Sequence, residues 1–215
     1  MSINNSSFNY DNFFKKHIST SSTSFTKIDK NSTITIRILV GPKLCIPVWL
    51  NDSFGKPKRL NSLSVDQSGN QTGINCPLLE KAQAQGTNKV APSIALVYGI
   101  YNFATQQIEI LIATQQSIWH GIAGLTRLVE SKGKNIFAFN ITISRTDAYG
   151  KTTYSVGFSP DHELLPQEAQ TIEKALEPTN PDNVEALLDR ATKWPTQEEV
   201  DKLGLGIKLP NVAST

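Results

Sequence analysis

The run from Asn135 to Pro160, NIFAFNITISRTDAYGKTTYSVGFSP, constrains the fold more than any other part of the chain. Phe137, Phe139, Ile141 and Ile143 alternate with Ala138, Asn140, Thr142 and Ser144. A period of two puts an apolar row on one face of a strand and small polar groups on the other. Thr146 to Gly150 supplies turn residues, with a glycine ready for positive φ, and Tyr154, Val156 and Phe158 then alternate with Thr153, Ser155 and Gly157. Pro160, which cannot donate to a ladder, closes the unit. The expectation is a β-hairpin with one buried face. Its polar face, flanked by Lys132, Lys134, Arg145 and Lys151, could lie along a phosphate backbone. The solvated face of any antiparallel sheet has a similar composition.

The rest of the chain surrounds this hairpin with further strands. Ile34, Ile36, Ile38 and Val40 alternate with Thr35, Arg37 and Leu39, which places Arg37 on the face away from its apolar neighbours until Gly41 and Pro42 break the strand. Cys45 to Leu50 reads as a second strand, with Pro47 suiting an edge or a bulge. If Val48 and Leu50 face inward, Trp49 faces out beside Lys56, Lys58 and Arg59, a flat π surface next to cations and so a platform for a stacked base. Equally, the following loop could cap that ring. Pro77 to Gln85 has a helix start and stop in Pro77 and Gly86. Pro92 to Phe103 and Gln107 to Ala113 make a second hairpin, apolar on both faces and therefore central, with Tyr101 near its tip as a second stacking candidate. Ile118, Ile122, Leu125 and Val129 mark a helix over Gln115 to Lys132 that would plug one end of the sheet.

Charge is segregated along the chain. The total is only +2, but residues 1–160 sum to +8 and residues 161–215 to −6. Such asymmetry is a sign of a nucleic-acid partner, although charge clusters also arise on surfaces that bind nothing. Residues 1–32 form a Ser, Thr and Asn-rich arm with an aromatic island at Phe8, Tyr10, Phe13 and Phe14, read as flexible and able to dock on its own domain, on a neighbouring subunit or on a nucleic acid. Residues 33–160 form the β-rich domain. Residues 161–215 hold three short helices, Gln167 to Glu177, Asp182 to Lys193 and Thr196 to Leu203, whose thin apolar stripes suggest a peripheral acidic segment.

No apolar run reaches the roughly 20 residues that a membrane span needs, and the start of the chain does not read as a secretory signal. The expectation is a cytoplasmic protein in which Cys45 and Cys76 stay reduced. His17, His120 and His162 are scattered, and no nucleophile elbow, phosphate loop, dinucleotide fingerprint or closely spaced metal-ligand set is present. No catalytic residue, metal or cofactor is expected, and the chain does not read as an enzyme.

Strands near 33–40, 45–50, 92–103, 107–113 and 135–158, with a helix before the last pair, suit a mainly β (α+β) chain built on an OB-like Greek-key barrel with one or two short helices and an acidic helical C-terminal segment. The order of features also resembles phage-type single-stranded DNA-binding proteins. It runs from the aromatic FNYDNFF through ITIRIL, IPVWL, NCPLL, LVYGIYNF and a helix to the closing hairpin FNITISRTDAYGKTTYSV. The hairpin is the most specific element, with a strand ending in Ile-x-Arg, a glycine-containing turn and a Thr-x-Tyr-x-Val strand. Over residues 8–160 the resemblance implies an OB-fold that coats single strands without sequence preference in replication, recombination or repair. By residue, it implies backbone contact at Arg145 and Lys151 and stacking at Trp49. Relatives with a zinc site carry a second cysteine where Leu79 stands here, and the terminal LPNVAST is not an acidic tip.

The expected nucleic-acid-binding set is Arg37, Trp49, Lys56, Lys58, Arg59, Tyr101, Lys132, Lys134, Arg145 and Lys151. The expected partners are single-stranded DNA and, through the acidic segment, replication or recombination proteins, with self-association into a homo-oligomer an option and no membrane contact. Two alternatives stay open: a β-barrel adaptor or structural protein that mediates protein contacts, and an RNA-binding protein of the same fold.

Overall fold

The computed structural model describes residues 24–66, 70–87, 94–159 and 163–210. The aromatic island of the arm, Pro160 and the terminal residues 211–215 lie outside the described residues. The described chain is mainly β with helices. Its strands are β1 (Ser32–Cys45), β2 (Pro47–Asn51), β3 (Pro57–Asn61), β4 (Ala95–Asn102), β5 (Gln107–Ala113), β6 (Asn140–Ala148) and β7 (Lys151–Phe158). Its helices are α1 (Pro77–Ala84), α2 (Gln116–Glu130), α3 (Pro166–Leu176), α4 (Val184–Thr192) and α5 (Gln197–Asp201), with a 3₁₀ turn at Ile136–Ala138. Five strands form one sheet in the order β5-β4-β1-β6-β7, and β2 and β3 form a separate ribbon. All of these pairings are antiparallel.

The hairpin β6–β7 turns on Tyr149 and Gly150, both at positive φ (51° and 74°). Two such residues in succession give the loop twist that matches paired strands. The alternation is realised from Asn140 onward, with Ile141 and Ile143 fully buried. Phe137 precedes the strand, because the Asn135 side chain accepts a hydrogen bond from the Phe137 amide (3.1 Å) and starts the 3₁₀ turn. β1 does not stop at Gly41-Pro42 but continues to Cys45 through two register shifts. A Cβ at Gly41 (φ +123°) would lie 3.0 Å from the Val97 carbonyl oxygen, so glycine lets the bulged strand stay against β4.

The sheet is covered on both sides. On one face Ile34, Ile36, Ile38, Ile100 and Leu111 are buried with Ile118, Ile122 and Val129 of α2. On the other, Val97, Ala95 and Ile110 pack with Leu187, Leu188 and Ala191 of α4, and Leu39 and Tyr101 with Ile172 of α3 and Val184. Two of the three acidic helices expected to be peripheral, α3 and α4, therefore form a layer of the core. Their apolar stripes can be thin because each meets a broad apolar sheet surface rather than another helix. A third cluster joins Val48 and Leu50 of the ribbon to Leu78 of α1 and to Val200, Leu203 and Ile207 around α5. Among the described residues no helix is long and apolar enough to cross a membrane.

The closest fit between strand and helical layer is at Gly99, where a Cβ would sit 2.3 Å from Cγ2 of Val184. Valine is stiff at χ1 and cannot swing away. Gly99→Ala is expected to destabilise the protein by about 1–3 kcal/mol through overpacking. Val184→Ala should relieve part of that cost, so urea unfolding of the two single variants and the double should show a favourable coupling of at least about 0.5 kcal/mol. Strict additivity would mean that α4 does not press on β4.

Candidate nucleic-acid interface

A segment with no regular secondary structure of its own builds one wall of the candidate site. Phe25 bridges to Ile110 in parallel, with the Thr26 amide donating to the Ile110 carbonyl (2.9 Å) and the Ile110 amide to the Ser24 carbonyl (2.8 Å). Residues 24–26 thus occupy the free edge of β5. The Glu109 carboxyl, only 4% exposed, pins them there. It accepts from the Thr26 hydroxyl (2.6 Å), the Asn102 amide (2.9 Å) and the Thr105 hydroxyl (2.7 Å), so a buried acidic group is satisfied by neutral donors.

Between this segment, the ribbon, the start of α2 and the β6–β7 hairpin lies a cavity of about 450 Å³. The ribbon contributes Pro47, Trp49 and Arg59, and the hairpin contributes Arg145, Thr152 and Tyr154. Phe25, Lys27 and Ile28 come from the edge segment, and Leu111, Gln115 and Ile118 from the junction of β5 and α2. Trp49 and Arg59 stand opposite each other in the ribbon, and Arg145 stands opposite Tyr154 in the hairpin. Each pair therefore delivers one ring and one guanidinium to the same space.

Arg59 sets the electrostatics. Its Nη2 donates to the Asn61 side-chain oxygen (3.1 Å) and approaches Cys45 Sγ (3.5 Å), and its Cζ lies 5.9 Å from the centre of the Phe25 ring. Its Nε is buried without a hydrogen-bond partner, and among the described residues no carboxylate pairs with it. Burial pushes the Arg59 pKa down from its ordinary value and pushes the Cys45 thiol up, the Arg59 charge opposing the latter. Asn61 is held by its own bonds, donating to the carbonyls of Ala191 (3.0 Å) and Lys193 (2.9 Å) at the end of α4. Arg145 is anchored differently. Its Nη1 donates to the Ile28 carbonyl (3.1 Å) and its Nη2 to Asp147 (3.0 Å). The Asp147 carboxyl is held below its ordinary pKa by the Thr152 hydroxyl and by Arg145.

Of the ten residues expected from the sequence, the cavity gathers Trp49, Arg59 and Arg145. Lys58 stands opposite Leu50, which faces the ribbon core, and so lies on the other face of β3 from Arg59. Lys56 is exposed in the turn shaped by Asp52, whose side chain accepts from the Lys56 amide (2.8 Å). Lys151 is exposed at the start of β7. Lys132 and Lys134 are exposed beyond α2, Lys134 with its ammonium 5.7 Å from the centre of the Phe139 ring.

Two residues are corrected. Tyr101 is 1% exposed and meets Phe103 edge-on at 5.1 Å beneath the helical layer, so no ring face is open to a base. Arg37 is half-buried, donates from Nε to Asn140 (2.8 Å), and has its pKa lowered by burial against the opposing charge of Glu168 in α3. Both lie on the sheet face that the C-terminal helices cover.

Phe25 and Tyr154 are the aromatic lining residues that the sequence did not single out as site residues. Tyr154 had a signal, since it continues the inward-facing row of the hairpin directly across from Arg145. Phe25 had none, because it follows a polar arm without periodicity. Among the described residues no group of three or more His, Cys, Asp or Glu is placed to hold a metal ion. Cys45 and Cys76 are both buried free thiols. No family model, no curated protein and no solved structure matches the chain, and the cavity's role is argued from its own geometry.

Proposed function

We propose that the chain binds single-stranded DNA without sequence preference, taking bases against Trp49, Phe25 and Tyr154 and phosphates at Arg59 and Arg145. The observation that carries this reading is Arg59, a half-buried cation on the wall of an aromatic cavity that no carboxylate pairs with among the described residues. A partly desolvated charge of this kind costs folding free energy unless an anion reaches it. A strand brings that anion together with a stacking surface on every base, which explains rings and guanidiniums in one space.

The finer architecture belongs to the same proposal. α2 packs on β5 and on β7, the two edges of the sheet. A helix that spans both edges closes one end of a curled sheet, as in an OB-like barrel. The protein would coat single strands in a cytoplasm during replication, recombination or repair. The exposed carboxylates of the helical layer, such as Glu173, Glu185 and Asp201, would meet the partner proteins of those processes.

Tryptophan fluorescence tests this directly. A mixed-sequence single strand should quench the emission, the effect should fade as salt rises, and duplex should quench little. Trp49→Phe should remove most of the signal, since Trp119 packs in the main core and Trp194 donates to the Val65 carbonyl (2.9 Å). Trp49→Ala should weaken binding by about 1–3 kcal/mol for any base sequence. Unchanged quenching in Trp49→Phe would place the strand elsewhere, and tighter binding of RNA than of DNA oligomers would change the polymer.

Arg59→Met supplies a second check. Replacing a half-buried charge that no carboxylate pairs with among the described residues by an apolar side chain of similar length should leave the urea midpoint no lower than that of the parent. The same change should weaken strand binding at least about tenfold, or about 1.4 kcal/mol. A large loss of stability with unaltered binding would make Arg59 a structural residue.

A further inference from the structure

We propose that a bound strand continues from the cavity along the exposed face of α2 to a second aromatic and cationic platform at the helix's far end. The inference rests on the reading of the cavity as a strand site. α2 starts at the cavity, where Gln115 and Ile118 line the wall, and ends at Glu130, about 21 Å away at 1.5 Å per residue. Its buried stripe of Ile118, Ile122 and Val129 faces the sheet. Its exposed side carries Gln116, His120 and Gly124 at i+4 spacing, followed by Arg127 and the 46% exposed Leu128. Gly124 leaves open space where a Cβ would stand, room for a backbone to come close. Glu130, at the row's edge, is the helix's sole carboxylate.

The row leads to exposed Lys132 and Lys134 and to a group of phenylalanines. Phe137 is 39% and Phe158 37% exposed, Phe139 and Phe158 lie 5.6 Å apart, and the Lys134 ammonium stands 5.7 Å from the Phe139 ring centre. Phe137 stands out there because the Asn135-capped 3₁₀ turn interrupts the strand pattern at this point. Rings and cations thus sit at both ends of one helix, with hydrogen-bonding Gln116 and His120 between them and Arg127 in the last turn. A polymer that alternates bases with phosphates matches both ends and the path. Excess cation, with Arg127, Lys132 and Lys134 against Glu130, is complementary to that polyanion.

The experiment compares oligomers of about 4 and about 16 nucleotides, the limits of what one such fold occupies. A stacked 4-mer covers about 14 Å at about 3.4 Å per nucleotide, less than the length of α2. In the parent the 16-mer should bind more tightly than the 4-mer. Lys132→Gln with Lys134→Gln, both at exposed positions, should leave 4-mer binding unchanged and weaken 16-mer binding at least about fivefold. Its salt slope should fall by about 1.4, at about 0.7 per lost phosphate contact on a single strand. Phe137→Ala should weaken the 16-mer alone and leave the salt slope intact. If the parent and the lysine variant bind the 16-mer equally while the 4-mer binds normally, the path is wrong and the cavity reading stands. If neither oligomer quenches the parent, the cavity reading falls and takes the path with it. Loss of self-association in the lysine variant, with 16-mer binding unaltered, would give the platform to a second copy of the chain and overturn the inference.

Discussion

The structure depends on a sheet whose central strands are apolar on both sides. In β4 every residue except Leu96 is buried, and β1 buries Ile36 and Ile38 on one face while Leu39 is buried with the C-terminal helices on the other. A sheet of this kind is stable only between two layers. α2 supplies one, and α3 with α4 supplies the other. The charge asymmetry along the sequence takes on a different meaning in that light. The acidic stretch is not an appendage to a basic body but its second covering layer, with Leu187 and Leu188 turned inward and Glu185 and Asp189 outward. Lys43 of β1 and Asp189 of α4 form an ion pair across the junction.

That arrangement reaches the cavity through the packing of Phe25 and Ile112 on the cluster of Leu187 and Leu188, and through one amide. Asn61 receives the Arg59 guanidinium on its oxygen and gives its nitrogen to two carbonyls at the end of α4. The position of Arg59 is therefore set from the helical layer as much as from the ribbon that bears it. The opposite wall is set from the β5 edge, where Glu109 fixes Thr26 and with it Phe25 and Ile28. The Ile28 carbonyl in turn accepts from Arg145. Both arginines of the site are thus tied to distant parts of the chain, Arg59 through Asn61 to the end of α4 and Arg145 directly to Ile28.

Local periodicity explains what was legible in the sequence. The β6–β7 hairpin, the β4–β5 hairpin, α1, α2 and the three C-terminal helices were readable because an alternation or a helical stripe coincided with glycine, proline or capping residues at the ends. The orientation of Trp49 followed from Val48 and Leu50, both fully buried. β3 was hidden, since Pro57, Lys58 and Arg59 carry no apolar alternation and only pairing with β2 makes them a strand. Tyr101 and Arg37 were misjudged for one shared reason. Alternation tells which residues share a face but not whether a later part of the chain covers it, and the covering helices lie more than sixty residues further on. Phe25 depended on edge pairing with β5, a contact between segments that carry no mutual signal.

The contrast between the two arginines bears on the chemistry. Arg145 is paired with Asp147, whose other carboxyl oxygen accepts from Thr152, so its charge reaches the cavity already opposed by a carboxylate. Arg59 has an amide oxygen, a thiol and an aromatic ring around it, all neutral or weakly polar. A half-buried guanidinium in such surroundings keeps unspent hydrogen-bonding capacity at Nε and a field less screened than at the open surface, because the low local polarity that penalises it also strengthens its attraction to an incoming anion. The same surroundings favour planar, weakly hydrated groups over small, strongly hydrated ions, since Trp49, Phe25 and Tyr154 reward apolar area and stacking. An isolated inorganic anion satisfies only half of that environment, whereas a nucleotide within a strand satisfies both.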